Sequence, residues 1–214
     1  VPILGYCEML VNSKLGSLST DQNEAVKEIQ QNTIQLNHLI FDFWNAQQLD
    51  LGKMKYFYED VNVNELIKHL ERDLSNLIIG KNIEFSKLIE SEIHITTDES
   101  KLFEIFKNLI ENSSNFVPEI GGKIQISVKP DDSFVQFSVE DNGSGIAKEK
   151  MNLLFKKFHQ IDTSHRRVHS GGGLGLTICK GYIEDMGGKI WAKSEIDIGT
   201  TFFFTLPKNQ GEKL

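Results

Sequence analysis

The amino-acid sequence predicts an α+β protein, in which an N-terminal helical hairpin is followed by an α/β sandwich whose helices pack on a mixed sheet. Two observations support this fold class. Up to about residue 59, apolar residues recur at the spacing of paired helices. From about Asp60 onward, helical segments alternate with short strands. We therefore expect two domains, over residues 1–59 and residues 60–214.

The hairpin is predicted from a short helix over residues 3–15, a turn over 16–18 and a long helix over 21–50. Ser19 followed by Gln22 matches a capping box at the start of the long helix. Apolar residues then alternate in steps of three and four, with Thr33 filling one position: Val26, Ile29, Leu36, Ile40 and Phe43. Because two helices alone bury little apolar surface, we expect two chains to form a dimeric four-helix bundle.

The second domain is predicted to contain three helices and six strands. Asp98 can cap the middle helix, and the last helix should end at Gly187 and Gly188. The helices are expected over residues 62–79, 101–115 and from about 173 to 187, and the strands over 83–89, 93–96, 123–129, 134–140, 189–195 and 200–206.

Composition narrows the classes of function. The 214 residues carry a formal net charge of −7 and a pI near 5.4, which argues against a nucleic-acid partner. Cys7 and Cys179 fit no metal spacing and are expected to be reduced thiols. No apolar run approaches the roughly 20 residues of a membrane helix, so we expect no membrane contact by this segment.

A glycine-rich segment over residues 171–176 directly precedes the last predicted helix. Glycines let a backbone approach a bulky anion, and a helix N-terminus presents unpaired N–H groups to a phosphate. The segment matches neither a Walker loop nor a Rossmann fingerprint. A surface loop without a ligand is the alternative interpretation.

An acidic turn over residues 141–146 follows an alternating strand. Its carboxylate, Asp141, can accept a hydrogen bond from an exocyclic amine such as that of adenine. The alternative is a turn in which Asp141 only bonds its own backbone.

Two asparagines, Asn108 and Asn112, lie four residues apart and so share one face of the middle helix. An amide oxygen is a hard ligand that suits Mg²⁺, and Phe116 can pack on a flat base. The alternative is a helix with two exposed polar residues and a core phenylalanine.

The order of these three motifs, followed by the strand at 199–202, resembles the Bergerat-type ATP-binding fold of histidine kinases, gyrase, mismatch-repair ATPases and heat-shock chaperones. The local sequences are most similar to the sensor histidine kinases of two-component systems. Residues 154–158 resemble the phenylalanine box of that family. Residues 41–54 resemble the end of its second dimerisation helix, and residues 3–6 resemble the first helix just after the phosphoacceptor box.

The resemblance implies that ATP and Mg²⁺ are the cofactors. Asn112 would coordinate Mg²⁺, and Asn108 would support it or contact phosphate. Asp141 would receive the adenine amine, above a pocket floor shaped by Gly143 and Gly145.

The resemblance also implies a lid over residues 158–170, in which Arg166 and Arg167 could reach phosphate. Phe116 and Ile146 would flank the base, Thr201 would hydrogen-bond near it, and three glycines would hinge the lid. The further nucleotide-binding residues implied are Asn115, Phe116, Ile146, Phe158, Gly171, Gly173, Leu174, Gly175, Leu176 and Thr201.

Asn108 bears on the reaction, because the ATPase relatives place a glutamate there as a general base. An asparagine cannot accept a proton, so the resemblance implies a protein-histidine kinase that transfers the γ-phosphoryl group of ATP to a histidine. The acceptor would lie upstream of Val1, so no catalytic residue is assigned in the chain, which is not expected to phosphorylate itself. A hydrolytic ATPase and a degenerate nucleotide-binding dimerisation scaffold are the alternatives.

The resemblance implies two protein partners, a second copy of the chain and the receiver domain of a response regulator, whose aspartate would take the phosphoryl group. The expected location is cytoplasmic, as part of a longer sensor protein. The family often has a basic residue just before Phe116. Here that residue is the neutral Asn115, which predicts weaker nucleotide affinity.

Overall fold

The computed structural model describes residues 2–89, 91–159 and 172–209. Within these residues the predicted fold class is confirmed, because a helical hairpin precedes a mixed sheet covered by helices. None of the described helices is both long and apolar enough to cross a membrane.

The hairpin consists of α1 (Pro2–Val11) and α2 (Thr20–Asp50). The predicted capping box is confirmed: the Gln22 N–H donates to Ser19 Oγ at 3.3 Å, and the Ser19 N–H donates to Gln22 Oε1 at 3.0 Å. Helix α1 is shorter than predicted, and Ser13, two residues beyond its end, has a left-handed φ of 56° that no helix tolerates. Four residues of the predicted seam are more than half exposed in the single chain: Ile29, Leu36, Ile40 and Phe43.

The strands of the described residues after the hairpin form two sheets. The antiparallel pair β1–β3 stands apart from a five-stranded sheet with the order β2-β4-β5-β7-β6, in which only β2 and β4 run parallel. The strands are β1 (Glu59–Asn62), β2 (Glu84–Ile89), β3 (His94–Thr97), β4 (Lys123–Pro130), β5 (Phe134–Asp141), β6 (Lys189–Glu195) and β7 (Gly199–Pro207). The helices are α3 (Val63–Asp73), α4 (Ser75–Gly80), α5 (Glu99–Ser114), a 3₁₀ turn (Lys148–Leu153) and α6 (Gly175–Asp185).

Two further differences from the sequence prediction concern α3 and β1. The helix expected over residues 62–79 is broken at the buried Leu74, whose φ of −89° and ψ of 3° separate α3 from α4. Strand β1 was not predicted, because its four residues do not alternate and only their pairing with β3 makes them a strand.

The core lies between the five-stranded sheet and the helices. Helices α5 and α6 pack on the sheet, and α3 packs against α5. Three buried rings join the layers: the Phe106 ring lies 5.6 Å from that of Phe137 and 5.4 Å from that of Phe204. This packing brings the C-terminal end of β5, where Asp141 lies, beside the last turn of α5.

Helix α2 also packs against α6. A Cβ atom at Gly181 of α6 would lie 2.6 Å from Leu49 Cδ1, so the glycine makes room for the Leu49 side chain. The Asn45 side-chain amide donates to Glu104 Oε1 at 3.2 Å, and Lys157 pairs with Asp50. The hairpin and the sheet domain are therefore in direct contact.

Candidate nucleotide-binding site

A cavity of about 1190 Å³ opens between α2, α5, the turn after β5 and the start of α6. Ligand pockets usually measure about 300–1,000 Å³, so a whole nucleotide fits. Ten predicted residues line it: Asn108, Asn112, Asn115, Phe116, Asp141, Gly145, Ile146, Gly173, Gly175 and Leu176. The three motifs separated in sequence thus meet at one cavity.

Asp141 is held at the cavity wall by three hydrogen bonds. The Ser113 hydroxyl donates to Oδ2 at 2.8 Å, and the N–H groups of Gly143 and Thr200 donate to Oδ1 at 3.0 and 3.2 Å. The residue is only 7% exposed; burial raises the pKa of its carboxyl, and the three hydrogen bonds oppose that rise. A carboxylate has about four acceptor positions, so about one remains for a donor in the cavity.

Glycines at two positions let the backbone close around Asp141. Gly145 has a φ of 68°, and a Cβ atom there would lie 2.0 Å from the Glu195 carbonyl oxygen. Gly199 has a φ of 142°, and a Cβ atom there would lie 1.9 Å from the carbonyl oxygen of Asp141. A side chain at either position would push the end of the sheet away from the acidic turn.

The asparagine pair meets the start of α6. Both Asn108 and Asn112 line the cavity, and a Cβ atom at Gly175 would lie 3.2 Å from Asn108 Oδ1. The side chain of Leu174, the N-cap residue of α6, makes no capping bond to the helix. Both asparagines and the first residue of α6 therefore line the same space, and amide oxygens beside a helix N-terminus suit a phosphate group with a bound cation.

Four further predicted residues lie off the cavity wall, and one lies outside the described residues. Gly143 is behind Asp141, to which its N–H donates, and Leu174 is buried in the core. Phe158 is 66% exposed, and its N–H donates to the Gly173 carbonyl at 3.1 Å. Gly171 falls outside the described residues, as do Arg166, Arg167 and the lid beyond His159.

The fourth is Thr201, which lies off the cavity wall, so its hydrogen bond near the base stays a prediction. Strand β7 alternates, so Thr200 and Phe202 are buried and line the cavity, and Thr201 lies on the opposite face of the sheet. The sequence hides this alternation because three phenylalanines stand in a row at 202–204. Of the two threonines, Thr200 is therefore the one that lines the cavity.

Several residues of the site were not predicted. Ser113 and Thr200 hold Asp141, and Lys81 donates from Nζ to the carbonyl oxygen of Ser114, to Ser114 Oγ and to Asn115 Oδ1, at 2.9, 3.1 and 2.8 Å. Ser113 directly follows the predicted Asn112 on α5, so the sequence could have indicated it as a site residue. Lys81 comes from a distant segment, so no local pattern points to it.

Carboxyl groups lie on the α2 side of the cavity. Burial and the charge of Glu104 raise the pKa of Asp42 to about 6, which His38 opposes. Burial also raises the pKa of Glu111, against the charges of Lys107 and His38. The cavity thus contains one acidic side, formed by α2 and the outer face of α5.

The sequence model of the family described as histidine kinase-, DNA gyrase B-, and HSP90-like ATPase matches residues 97–210, just over half of the chain. The chain belongs to this family. Its similarity to sensor kinases places it with the ATP-binding catalytic domains of the histidine-kinase type.

Curated relatives are sensor kinases. Hybrid signal transduction histidine kinase B of Dictyostelium discoideum is 32% identical over 196 residues, which are 89% of this chain and 10% of that protein. The autoinducer 2 sensor kinase/phosphatase LuxQ of Vibrio vulnificus is 29% identical over 98% of this chain and 25% of its own length. This chain thus spans a quarter or less of these two relatives.

Solved structures of histidine kinases share the fold. Full-length ShkA in complex with AMPPNP has a TM-score of 0.80 and 25% identity, over 96% of this chain and 43% of that one. The catalytic domain of ThkA has a TM-score of 0.64 and 31% identity, over 72% of this chain and 97% of that one. ThkA in complex with its response regulator TrrA, at 23% identity and a TM-score of 0.69, supports the fold alone.

Proposed function

We propose that this chain binds Mg-ATP in the cavity beside Asp141 and acts as the ATP-binding core of a sensor protein-histidine kinase. The γ-phosphoryl group would pass to a histidine, and from there to an aspartate of a response regulator. The observation that carries this proposal is the buried carboxylate of Asp141, which keeps an acceptor position toward the cavity that both asparagines of α5 also line. The AMPPNP bound to ShkA supports the choice of nucleotide.

The carboxylate favours adenine over other bases. The 6-amino group of adenine donates a hydrogen bond, which the remaining acceptor position of Asp141 can receive. Guanine and hypoxanthine carry a carbonyl oxygen at that position, so two acceptors would face each other in a buried site. Phe116 and Ile146 line the same cavity and offer apolar faces to the base.

The phosphate end of the cavity fits a magnesium ion that comes with the nucleotide. Among the described residues, no three histidine, cysteine, aspartate or glutamate side chains are grouped to hold a metal by themselves. The amide oxygen of Asn112 would instead add one hard ligand to those of the phosphates and water. When bound, the ion would neutralise negative charge on the phosphates.

Asn108 supports phosphoryl transfer rather than hydrolysis, because its neutral amide cannot take a proton from water. One observation favours hydrolysis as a second candidate. Glu111 also lines the cavity, and burial raises the pKa of its carboxyl, as suits a general base. The two candidates differ in their products, which are a phosphorylated protein and free phosphate.

We propose a division of the chain at about residue 60, with a dimerisation hairpin before it and the ATP-binding domain after it. The receiver domain of a response regulator would be the second partner, as in the ThkA complex with TrrA. The acceptor histidine is proposed to lie upstream of Val1, and none of the six histidines of the chain is assigned that role. A cytoplasmic location belongs to the same proposal.

Calorimetric titration tests the proposal. We expect magnesium-dependent binding of a non-hydrolysable ATP analogue and a clear preference for ATP over inosine triphosphate. Asp141→Asn should weaken the binding of ATP by about ten- to hundredfold and remove the preference for ATP over inosine triphosphate. The reason is that the side-chain NH₂ group of the asparagine and the adenine amine are both donors and would face each other. Asp131→Asn, in the exposed turn between β4 and β5, is the matched control and should bind like the wild type.

Two results would change the assignment. A folded chain that binds no nucleotide would favour the dimerisation scaffold. Steady release of phosphate from ATP that is lost in Glu111→Gln would favour the hydrolytic ATPase.

A further inference from the structure

We infer that Ile196, in the turn between β6 and β7, packs against the nucleoside part of the bound nucleotide, an inference that rests on the proposed function. The β6–β7 turn comprises residues 196–198, because Glu195 of β6 pairs with Gly199 of β7 where the two strands meet. None of the three sequence motifs includes this turn. Ile196 nevertheless lines the same cavity as Asp141.

Backbone hydrogen bonds fix the β6–β7 turn to the acidic turn. The Asp197 N–H donates to the Ser144 carbonyl oxygen at 2.9 Å, and the Ser144 N–H donates to the Phe116 carbonyl oxygen at 3.2 Å. The two turns also touch, because a Cβ atom at Gly145 would lie 2.9 Å from Ile196 Cα. Ser144 thus connects the segment that carries Phe116 with the turn that carries Ile196, and both of these residues line the cavity.

The Ile196 side chain has apolar surface to offer a ligand. It is 57% exposed, and it lines the cavity together with the apolar side chains of Phe116 and Ile146. A base is planar and has two apolar faces, and the burial of apolar surface favours binding. A nucleoside whose base reaches Asp141 would therefore gain affinity by covering Ile196 from the cavity side.

Ile198 provides an internal comparison within the same turn. It is 62% exposed, much like Ile196. Ile198 does not line the nucleotide cavity but a separate hollow of about 250 Å³, together with Lys193 and Thr201. Two isoleucines of similar exposure thus differ in which of the two hollows they line, and only Ile196 is expected to contact a nucleotide.

A purely structural role in the turn is the competing explanation. Asp197 has a left-handed φ of 60°, so its neighbours could help to hold a strained turn in place. The two roles differ in what they affect. A structural role of Ile196 changes the free energy of unfolding of the protein alone, whereas a contact with the nucleoside changes only binding.

Calorimetric titrations of Ile196→Ala with Mg-ATP and with adenosine separate the two roles. We expect both dissociation constants to rise by a similar factor, about three- to tenfold, because the contact concerns the nucleoside that the two ligands share. Ile196→Val removes one methylene group instead of three carbon atoms and should give a smaller rise in the same direction. The heat-capacity change of binding should become less negative in Ile196→Ala, because less apolar surface is buried.

Ile198→Ala is the matched control and should bind both ligands like the wild type. Denaturant titration without nucleotide should give Ile196→Ala and Ile198→Ala nearly the same free energy of unfolding, since both side chains are mostly exposed.

NMR of the wild-type protein tests the contact without any loss of stability. With methyl-labelled isoleucine, the Ile196 signal should shift when adenosine is added, because the ring current of the base acts on a methyl group packed against it. The Ile198 signal should stay in place. The two variants Ile196→Val and Ile198→Val assign the signals, because each removes one of them from the spectrum.

The outcomes are distinguishable from those that concern the proposed function. Wild-type protein that binds neither Mg-ATP nor adenosine contradicts the proposed function, and this inference with it. Wild-type binding overturns the role of Ile196 alone if the Ile196 signal does not shift, if the constants are unchanged in Ile196→Ala, or if Ile198→Ala shows equal losses.

Discussion

At the scale of single residues, the candidate site depends on backbone groups as much as on side chains. Two of the three bonds to Asp141 come from the N–H groups of Gly143 and Thr200. Backbone donors are fixed by the fold, so a substitution that moves the backbone disturbs the carboxylate even when Asp141 is kept. Substitution of the glycines beside Asp141 should therefore destabilise the site, because an added side chain would clash with the neighbouring backbone. This steric effect is distinct from the strain of placing a side chain at a positive φ.

Gly145→Ala and Gly121→Ala test that reason. Both glycines have a left-handed φ, of 68° and 76°, but a Cβ atom at Gly121 meets nothing within 4 Å, whereas one at Gly145 meets the Glu195 backbone. We expect Gly121→Ala to lower the free energy of unfolding by about 1 kcal/mol through strain alone. Gly145→Ala should lower it by more than about 3 kcal/mol and weaken nucleotide binding. Denaturant titration measures both, and equal losses would contradict the steric explanation.

At the scale of helices and strands, the sequence predicts the features that are determined by residues close together in the chain. The caps at Ser19 and Asp98 were predictable because each bonds a backbone group three residues away. The break at Leu74 and strand β1 were not, because long-range packing and pairing determine them. Lys81 was not predicted for the same reason, since its hydrogen-bond partners lie 33 and 34 residues further along the chain.

Three local patterns singled out Asp141 and both asparagines, and the structure brings these residues to one cavity. Which threonine of β7 lines the cavity could not be predicted, because three consecutive phenylalanines leave the two faces of the strand indistinguishable in sequence. The wall that α2 contributes could not be predicted either, because nothing local in residues 38–42 indicates which surface the helix packs against.

The stability of the folded chain should depend on pH through Asp42, which lies on α2 at the cavity wall. Its neighbours there include Glu104, Glu111 and His38, and its pKa is raised to about 6, chiefly by burial. The folded state therefore disfavours ionised Asp42, a cost that is full above about pH 6 and lost as the pH falls toward the ordinary value near 4.

Asp42→Asn removes that cost. We expect the variant to be more stable than the wild type at about pH 7, with a difference that narrows below about pH 6. Thermal unfolding across this range measures it. Asp21→Asn, in the first turn of α2, is the matched control, and a difference that stays constant with pH in Asp42→Asn would contradict the prediction.

At the scale of the whole molecule, the hairpin leaves an apolar stripe on α2 without a cover in the single chain. Ile29, Leu36, Ile40 and Phe43 are each more than half exposed. Contiguous exposed apolar surface on a helix usually marks an interface. The proposed homodimer would cover the stripe in a four-helix bundle.

Ile40→Glu should convert the dimer to a monomer, because it sets a charge in the seam. Ile34→Glu is the matched control, since Ile34 is 42% exposed on the same helix but lies outside the seam. Light scattering coupled to size-exclusion chromatography gives the mass of each. A dimeric Ile40→Glu, or a monomeric wild type at high concentration, would contradict the proposed interface.

The contact of α2 with the cavity has a kinetic consequence. His38, Leu39 and Asp42 form part of the wall, and a Cβ atom at Gly172 would lie 2.9 Å from Leu39 Cδ2. A movement of the hairpin therefore opens or narrows the compartment in which ATP and spent ADP would reside. A stimulus that shifts α2 would therefore change the residence time of each bound nucleotide before any phosphoryl transfer takes place.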